Sequence, residues 1–407
     1  MSRIHDIPLL LLVVIAAGLA VLFWALGFSW LAQPIAPGGT YLLKSIAHLA
    51  KDALFVPLKP LMYSLIILSI GSSLAISTGG TGAKFLRVLG FFVGFSLVGM
   101  ALAIISFFLF PGIDVFPSQG VGGELKNSAP FMAKIYGVVT SALMISIYTG
   151  LFLGAALRRL ELGREADRIS DLFIAGFRKF LQYTIPLAVF GGITIALSDK
   201  EGVANLGNLA RILLPYSIAM GLTWSIIVFV TSRIQGRGIG FVLRAVAPQA
   251  LVAFSTSSSM ATLTATKEAC SELGANGDEA TPFFTVGATI NMVGTLIGLL
   301  LVSLYAMSAF GLSVGLGDAV LVGFQSMIFA TAAAGTPSAS VVLIQDILTS
   351  QGVSAEYASF VTTLILTIDV LILDRIRTVL NTQSDSMSTA NGLKLYYKTP
   401  KTLASES

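Results

Sequence analysis

Charged residues, histidine and cysteine are all scarce in this sequence. Only 11% of its 407 residues are charged, whereas soluble domains usually carry about 25%. So few charged residues provide too little polar surface to cover a water-facing globule of this size. Lipid must therefore cover part of the chain. The single Cys270 excludes a disulfide within the chain and provides no metal motif. The net charge of +4 is too small and too scattered for a nucleic-acid surface.

Long apolar stretches dominate the sequence. Apolar residues make up 55% of the chain, and its mean hydropathy is +0.85. A helix needs about 20 apolar residues to cross the hydrocarbon of a bilayer. Such stretches occur at 7–32, 50–77, 84–111, 133–158, 168–197, 209–232, 282–309 and 356–390. The first exceeds the hydrophobic part of a signal peptide, about 7–15 residues, so we predict a retained first span in an all-α integral membrane protein.

The basic residues fall in short loops and indicate an orientation. If the spans alternate, most basic residues lie on one side, and loops rich in Lys and Arg are cytoplasmic. That side receives Arg3, Lys84, Arg87, Arg158, Arg159, Arg164, Arg168, Arg233, Arg237, Arg244, Lys394, Lys398 and Lys401. The sequence therefore predicts cytoplasmic N- and C-termini, a location in the cell inner membrane, and an external Gly-rich loop over 114–128.

Two further apolar segments are interrupted by polar or small residues. Residues 240–272 contain the hydroxyl run Ser255–Ser259, and residues 317–350 contain the run Ala332–Ser338. Irregular backbone at membrane depth is tolerated only inside protein or beside a water-filled cavity. Paired interrupted segments therefore indicate a transporter with a binding site near the bilayer midplane. The alternative is that each interruption is an ordinary water-exposed loop between helices.

The last span has one polar face. On a regular helix, offsets of 0, 3, 4, 7 and 11 place these side chains together: Asp374, Arg377, Thr378, Asn381 and Asp385. Ionisable groups inside a membrane are costly unless they are paired or hydrated, so by default they indicate function. Asp369 falls about 140° from Asp374 around a regular helix, and we leave it outside the predicted site.

This polar face has the chemistry to bind an acidic amino acid together with a cation. Arg377 can bind a carboxylate through two parallel hydrogen bonds, and Asp374 can pair with an ammonium group. Thr378 and Asn381 can orient the ligand, while Asp385 suits an alkali cation or a proton. Two alternatives stay open. Asp374 and Arg377 could simply pair with each other, or the segment after 374 could lie outside the membrane.

Three motifs follow one another in the last part of the chain. They are the serine-rich run Ala253–Leu263, the run Gly287–Thr295, and the run Asp374–Asn381 with Asp385. In order and spacing they resemble the glutamate transporter family, the dicarboxylate/amino acid:cation symporters. They are similar to the tip of its first re-entrant hairpin, the broken middle of its seventh helix and its eighth helix. The resemblance covers nearly the whole chain in layout and is sharpest over 251–392.

The resemblance implies a fold and a domain organisation. It implies eight transmembrane helices and two re-entrant helical hairpins, in a homotrimer whose substrate-carrying part moves like an elevator. Residues 1–232 would form scaffold and trimerisation helices, with the third and sixth helices shared with the transport part. Residues 240–390 would form the transport core from hairpin 1, helix 7, hairpin 2 and helix 8, followed by a cytoplasmic tail over 391–407.

The resemblance also implies site residues. Substrate contacts are expected at Ser258, Ser259, Thr295, Gly335, Thr336, Asp374, Arg375, Arg377, Thr378 and Asn381. One cation site is expected at Gly287, Asn291, Asn381 and Asp385. A second is expected at Thr289 and Met292, with main-chain carbonyls of Ala330, Thr331 and Ala333. No resident cofactor is expected, because the sodium ion or proton is cargo whose gradient drives the substrate.

The chain departs from the family pattern at several positions. Val293 replaces an Asp that in many members helps to form a third sodium site, which suggests one fewer cation or altered coupling. Leu299 stands where eukaryotic glutamate carriers have a proton-carrying Glu. Ser257 replaces an Arg found in many prokaryotic members, whereas Arg375 matches the eukaryotic arrangement.

The predicted function is therefore cation-coupled symport of aspartate or glutamate, with sodium as the expected ion. A dicarboxylate without an amino group is an alternative, although Asp374 would repel a dianion. A neutral amino acid is disfavoured, because it would leave the buried guanidinium of Arg377 unpaired. An anion channel, which needs a uniformly basic pore, is an alternative from another class. An enzyme is the weakest alternative, since neither His5 nor His48 lies near the polar face in sequence.

Overall fold

The computed structural model describes a helical protein. The described residues are 9–25, 82–113, 115–116, 131–140, 142–198, 208–333 and 340–398, with scattered positions between 49 and 72. The helices are α1 Leu9–Ala25, α2 Gly82–Leu109, α3 Phe131–Val139, α4 Ala142–Arg159, α5 Gly163–Ser198, α6 Leu213–Gln235, α7 Ile239–Thr256, α8 Leu263–Glu272, α9 Gly277–Ile290, α10 Val293–Ala309, α11 Leu316–Ala332, α12 Ser340–Ser350, α13 Ala355–Ile368 and α14 Asp374–Lys398.

Several of these helices match a membrane environment. Among the described residues, five helical stretches are long and apolar enough to cross a membrane: Gly82–Leu109, Ala210–Gln235, Ile239–Thr256, Gly277–Ala309 and Ala355–Lys398. Large apolar side chains also cover the outside, and Met132, Phe152, Leu172 and Leu251 are each at least 72% exposed. Such a surface is stable when lipid covers it. The predicted all-α membrane class is therefore confirmed.

The interruption predicted within 240–272 is present. The first arm, α7, ends at Thr256 and is followed by Ser257, whose backbone is left-handed with φ of +50°. A short 3-10 turn over Met260–Thr262 follows, and α8 then packs against α7. In the second segment, α11 ends at Ala332 and α12 begins at Ser340. The intervening residues 334–339, which include the predicted contacts Gly335 and Thr336, lie outside the described residues.

Other predicted spans need correction. The span 282–309 is divided between α9 and α10, with Asn291 and Met292 at the break that the family resemblance implies. The span 133–158 divides into α3 and α4, while 50–77 lies mostly outside the described residues. The helix that carries the last predicted span, 356–390, extends beyond it, because α14 continues to Lys398. Its polar end is held by neighbours: Lys394 Nζ donates to the Gln235 carbonyl at 2.6 Å.

The C-terminal helix α14 lies at the centre of the described fold. It packs against α2, α6, α7 and α10, and its residues from Thr382 to Leu393 are all buried although most are polar. A buried polar group must find a hydrogen-bond partner. Gln249 of α7 supplies several of these bonds: its Nε2 donates to the Thr382 carbonyl at 2.6 Å, and its Oε1 accepts from Ser386 Oγ at 2.9 Å.

Two glycines of α10 bring it into direct contact with α14. A Cβ atom on Gly294 would lie 2.7 Å from the carbonyl oxygen of Arg377 and 2.9 Å from its Cα. A Cβ atom on Gly298 would lie 2.9 Å from Arg377 Cδ. Small residues at helix interfaces in membranes allow backbones to approach closely. The segment that carries the polar face is therefore held directly against α10.

We predict that Gly294→Ala destabilises the protein by about 1–3 kcal/mol, because the added methyl group meets backbone atoms that cannot move aside. Thermal unfolding of the purified protein in detergent measures the loss. The control is Gly94→Ala on α2, where an added Cβ would meet nothing within 4 Å. Equal unfolding midpoints for the two variants would contradict the close contact between α10 and α14.

Candidate functional site

The centre of the candidate site is a buried triad of charged side chains on the last helical segment. Arg377 Nη1 lies 2.7 Å from Asp369 Oδ1, and Arg377 Nη2 donates to Asp369 Oδ2 at 3.1 Å. Nη2 also lies 2.8 Å from Asp374 Oδ1. None of the three residues is more than 6% exposed. The alternative that Asp374 and Arg377 pair with each other is thus realised, but within a larger arrangement.

Asp369 joins this triad because the segment is not a regular α-helix. Residues Asp369–Leu373 form one turn of π-helix, in which the Asp374 amide donates to the Asp369 carbonyl five residues earlier. A π turn aligns residues i and i+5, whereas a regular helix separates them by about 140°. The regular-helix angle between Asp369 and Asp374, which places Asp369 outside the predicted site, is therefore wrong for this chain. Its acidic side chain within an apolar run was the signal that could have identified it.

Two residues from other helices fix the position of Arg377, and sequence reasoning missed both. Tyr216 of α6 is fully buried, and its hydroxyl donates to the carbonyl of Leu373 in the π turn at 3.1 Å. Gly298 of α10 leaves the space that the Arg377 side chain fills. Neither residue carries a local sequence signal, because its role depends on packing between distant segments.

Asn381 connects the polar face of α14 to the start of α10. Its Oδ1 accepts from the Gly294 amide at 2.7 Å, and its Nδ2 donates to Thr295 Oγ1 at 3.0 Å. The sulfur of Met292 lies 3.2 Å from the same Nδ2. The first amides of a helix have no partner within it, so an acceptor placed there stabilises the break between α9 and α10. The structure thus brings together three predicted site residues: Asn381, Thr295 and Met292.

Asp385 lies one turn further along α14 and faces the end of α9. Its Oδ1 accepts from Asn291 Nδ2 at 2.9 Å, and the same nitrogen donates to Ser384 Oγ at 3.0 Å. A Cβ atom on Gly287 would lie 2.8 Å from Asp385 Oδ1. Asp385 is 1% exposed, and no Lys or Arg pairs with it among the residues described. Asn291 Oδ1 also lacks a hydrogen-bond partner there.

Arg375 connects α14 to the last turn of α7, just before the serine turn, which is defined as Ser257–Ser259. One terminal nitrogen of Arg375 donates to the carbonyls of Phe254 and Ser255, at 2.5 and 3.1 Å. Its guanidinium carbon lies 5.8 Å from the centre of the Phe254 ring. Ser258 and Ser259, both predicted to contact substrate, are buried within the turn. Arg375 therefore anchors the end of α7.

The other predicted residues hydrogen-bond within their own helices or lie at helix ends. Thr378 follows the triad on α14, and its hydroxyl donates to the Asp374 carbonyl at 2.8 Å. Thr289 lies at the end of α9, and its hydroxyl donates to the Val286 carbonyl at 2.8 Å. The predicted carbonyl ligands Ala330, Thr331 and Ala333 lie at the end of α11, which packs against α9.

A comparison with protein families identifies the chain. A model described as the sodium:dicarboxylate symporter family matches residues 9–391, which is nearly the whole sequence. The match agrees with the apolar helices and with the order of the three motifs. This is a family of multi-pass membrane transporters of small molecules and not of enzymes. The chain belongs to the sodium:dicarboxylate symporter family.

Proposed function

We propose that this protein is a sodium-coupled symporter of an acidic amino acid such as aspartate or glutamate. One observation carries the proposal: a buried face of α14 presents Asp374, Arg377, Thr378, Asn381 and Asp385 in sequence. Asp374 would receive the substrate ammonium, and Arg377 its side-chain carboxylate. Asn381 and Thr378 would receive the backbone carboxylate end, with the hydroxyls of Ser259 and Thr295 nearby in the proposed site.

The cation would bind one turn away, at Asp385. Its buried carboxylate has no cationic side chain beside it among the described residues, and Asn291 Oδ1 is unpartnered and adjacent. Carboxylate and amide oxygens are suitable ligands for a hard cation. Because Asn381 would take part in both sites, a bound cation would fix Asn381 for the substrate. That differential affinity couples one gradient to the other.

The presence of Val293 favours binding of one fewer cation than in family members that have Asp at this position. Its side chain is fully buried, and its Cγ1 lies 3.0 Å from where a Cβ on Gly99 would be. Ile297 Cδ1 would lie 3.1 Å from the same Cβ. An apolar contact of this kind supplies no oxygen ligand. We infer that the sites near Asp385 and Thr289 carry the coupling.

The proposed architecture follows the family resemblance. Eight transmembrane helices and two re-entrant hairpins would form the protomer, with α7–α8 as hairpin 1 and α11–α12 as hairpin 2. Residues 1–232 would serve mostly as scaffold and 240–390 as the transport core, with α2 and α6 shared because both pack on α14. We further propose a homotrimer in the cell inner membrane with both termini in the cytoplasm.

A C4-dicarboxylate is the second candidate substrate. The name of the matched family supports it, since that family is described by dicarboxylate transport. The triad argues against it, because Asp369 and Asp374 already outnumber Arg377 in charge. A dianion without an ammonium group would therefore meet net negative charge.

We predict that the purified protein in sealed liposomes accumulates radiolabelled L-aspartate under an inward sodium gradient and not under a choline gradient. Arg377→Lys should lower the initial rate at least about tenfold, because Lys cannot form two parallel hydrogen bonds with a carboxylate. Arg159→Lys, an exposed position at the end of α4, is the matched control and should transport normally. Failure of the wild-type protein to accumulate aspartate would overturn the proposal and favour proton gradients with succinate.

We predict that Asp385→Asn weakens sodium binding at least about tenfold, equivalent to about 1.4 kcal/mol. The physical reason is the loss of the charged ligand at the proposed cation site. Sodium titration followed by thermal unfolding measures the effect without substrate, since a ligand that binds only the folded protein raises the midpoint. Asp278→Asn is the control, because the Asp278 side chain is 90% exposed. Equal sodium responses in both variants would refute this site.

A further inference from the structure

The two carboxylates of the triad contact the terminal nitrogens of the Arg377 guanidinium differently. Asp369 contacts both terminal nitrogens: Oδ2 accepts a hydrogen bond from Nη2 at 3.1 Å, and Oδ1 lies 2.7 Å from Nη1 as an ion pair without hydrogen-bond geometry. Asp374 Oδ1 accepts from Nη2, at 2.8 Å. Nε has no hydrogen-bond partner in the part of the chain that the structure describes. The two-nitrogen edge is the one that a carboxylate uses for two parallel hydrogen bonds.

An acidic substrate therefore meets an edge that Asp369 already occupies. Its side-chain carboxylate must displace Asp369, share the guanidinium with it, or bind only through the Nε side. Each of these arrangements places a third carboxylate around one buried cation. Like charges repel strongly where solvent does not screen them.

A neutral amino acid avoids this repulsion. It brings no third carboxylate to Arg377, and the guanidinium stays paired with Asp369 and Asp374 throughout. The sequence-based argument against neutral substrates assumed an unpaired guanidinium. That assumption is wrong, because the π turn supplies Asp369 as a partner.

We propose that Asp369 is a specificity-determining residue that weakens discrimination in favour of acidic over neutral amino acids by occupying the two-nitrogen edge of Arg377. This inference rests on the proposed amino-acid site. Asp369 acts through Arg377 and does not itself touch the substrate. The π turn Asp369–Leu373 is the feature that gives it this role, since a regular helix would point it elsewhere.

The experiment compares L-aspartate with L-asparagine, which differ by a single charge at nearly the same size. Binding of each is measured at saturating sodium, by calorimetry on the purified full-length protein. In Asp369→Asn, we expect the ratio of the asparagine to the aspartate dissociation constant to rise at least about tenfold, because the Arg377 edge becomes available. A purely structural role would shift both constants by the same factor. A ratio unchanged within about twofold would overturn the inference.

The control is Asp346→Asn on α12, which removes the same charge from a carboxylate that accepts from the Tyr63 hydroxyl at 2.8 Å. Its ratio should equal that of the wild-type protein. If Asp369→Asn does not fold, Asp369→Glu replaces it, since the added methylene misaligns the paired oxygens. The ratio should then shift in the same direction, and an unchanged ratio would overturn the inference. If the wild-type protein binds aspartate but the Asp369 variants keep the wild-type ratio, this inference alone is refuted. Wild-type protein that binds neither ligand refutes the proposed function with it.

Discussion

The fold depends on the burial of one guanidinium group. Arg377 is 2% exposed in the middle of a helical membrane protein, where an unpaired charge would be strongly destabilising. Two carboxylates compensate it, and the second is reachable only through the π turn. Gly298 makes space for the side chain, and Tyr216 holds the carbonyl of Leu373. The helix irregularity, the glycine contact and the buried tyrosine all serve this single charge.

The remainder of α14 follows the same rule with neutral groups. Thr382, Ser386 and Gln383 cannot reach water, so partners on other helices must satisfy them. Gln249 of α7 and Trp224 of α6 provide them, the latter by donating from Nε1 to Gln383 Oε1 at 2.6 Å. Such a network specifies how α6 and α7 are placed around α14. Apolar packing alone would allow these helices to slide along one another.

Local periodicity in the sequence predicts the features that depend on residues close together in the chain. The interruption near Ser257 and the common face of Asp374, Arg377 and Asn381 depend on neighbours within a few turns, whereas the break at Asn291 is expected only from the family resemblance. Asp369 could not be placed, because one π turn changes its direction by more than the width of a helix face. Gly298 and Tyr216 are defined only by contacts across the fold. The continuation of α14 to Lys398 could not be predicted, because its polar end is held by contacts across the fold, such as that of Lys394 Nζ with the Gln235 carbonyl.

The direct backbone contact at Gly294 has a thermodynamic consequence. Because no side chain separates α10 from α14 there, the two helices cannot shift past each other by a partial turn. The distances between Thr295, Asn381 and Arg377 would then be the same whichever side of the bilayer the site faces. Intrinsic affinities would be nearly equal on the two sides.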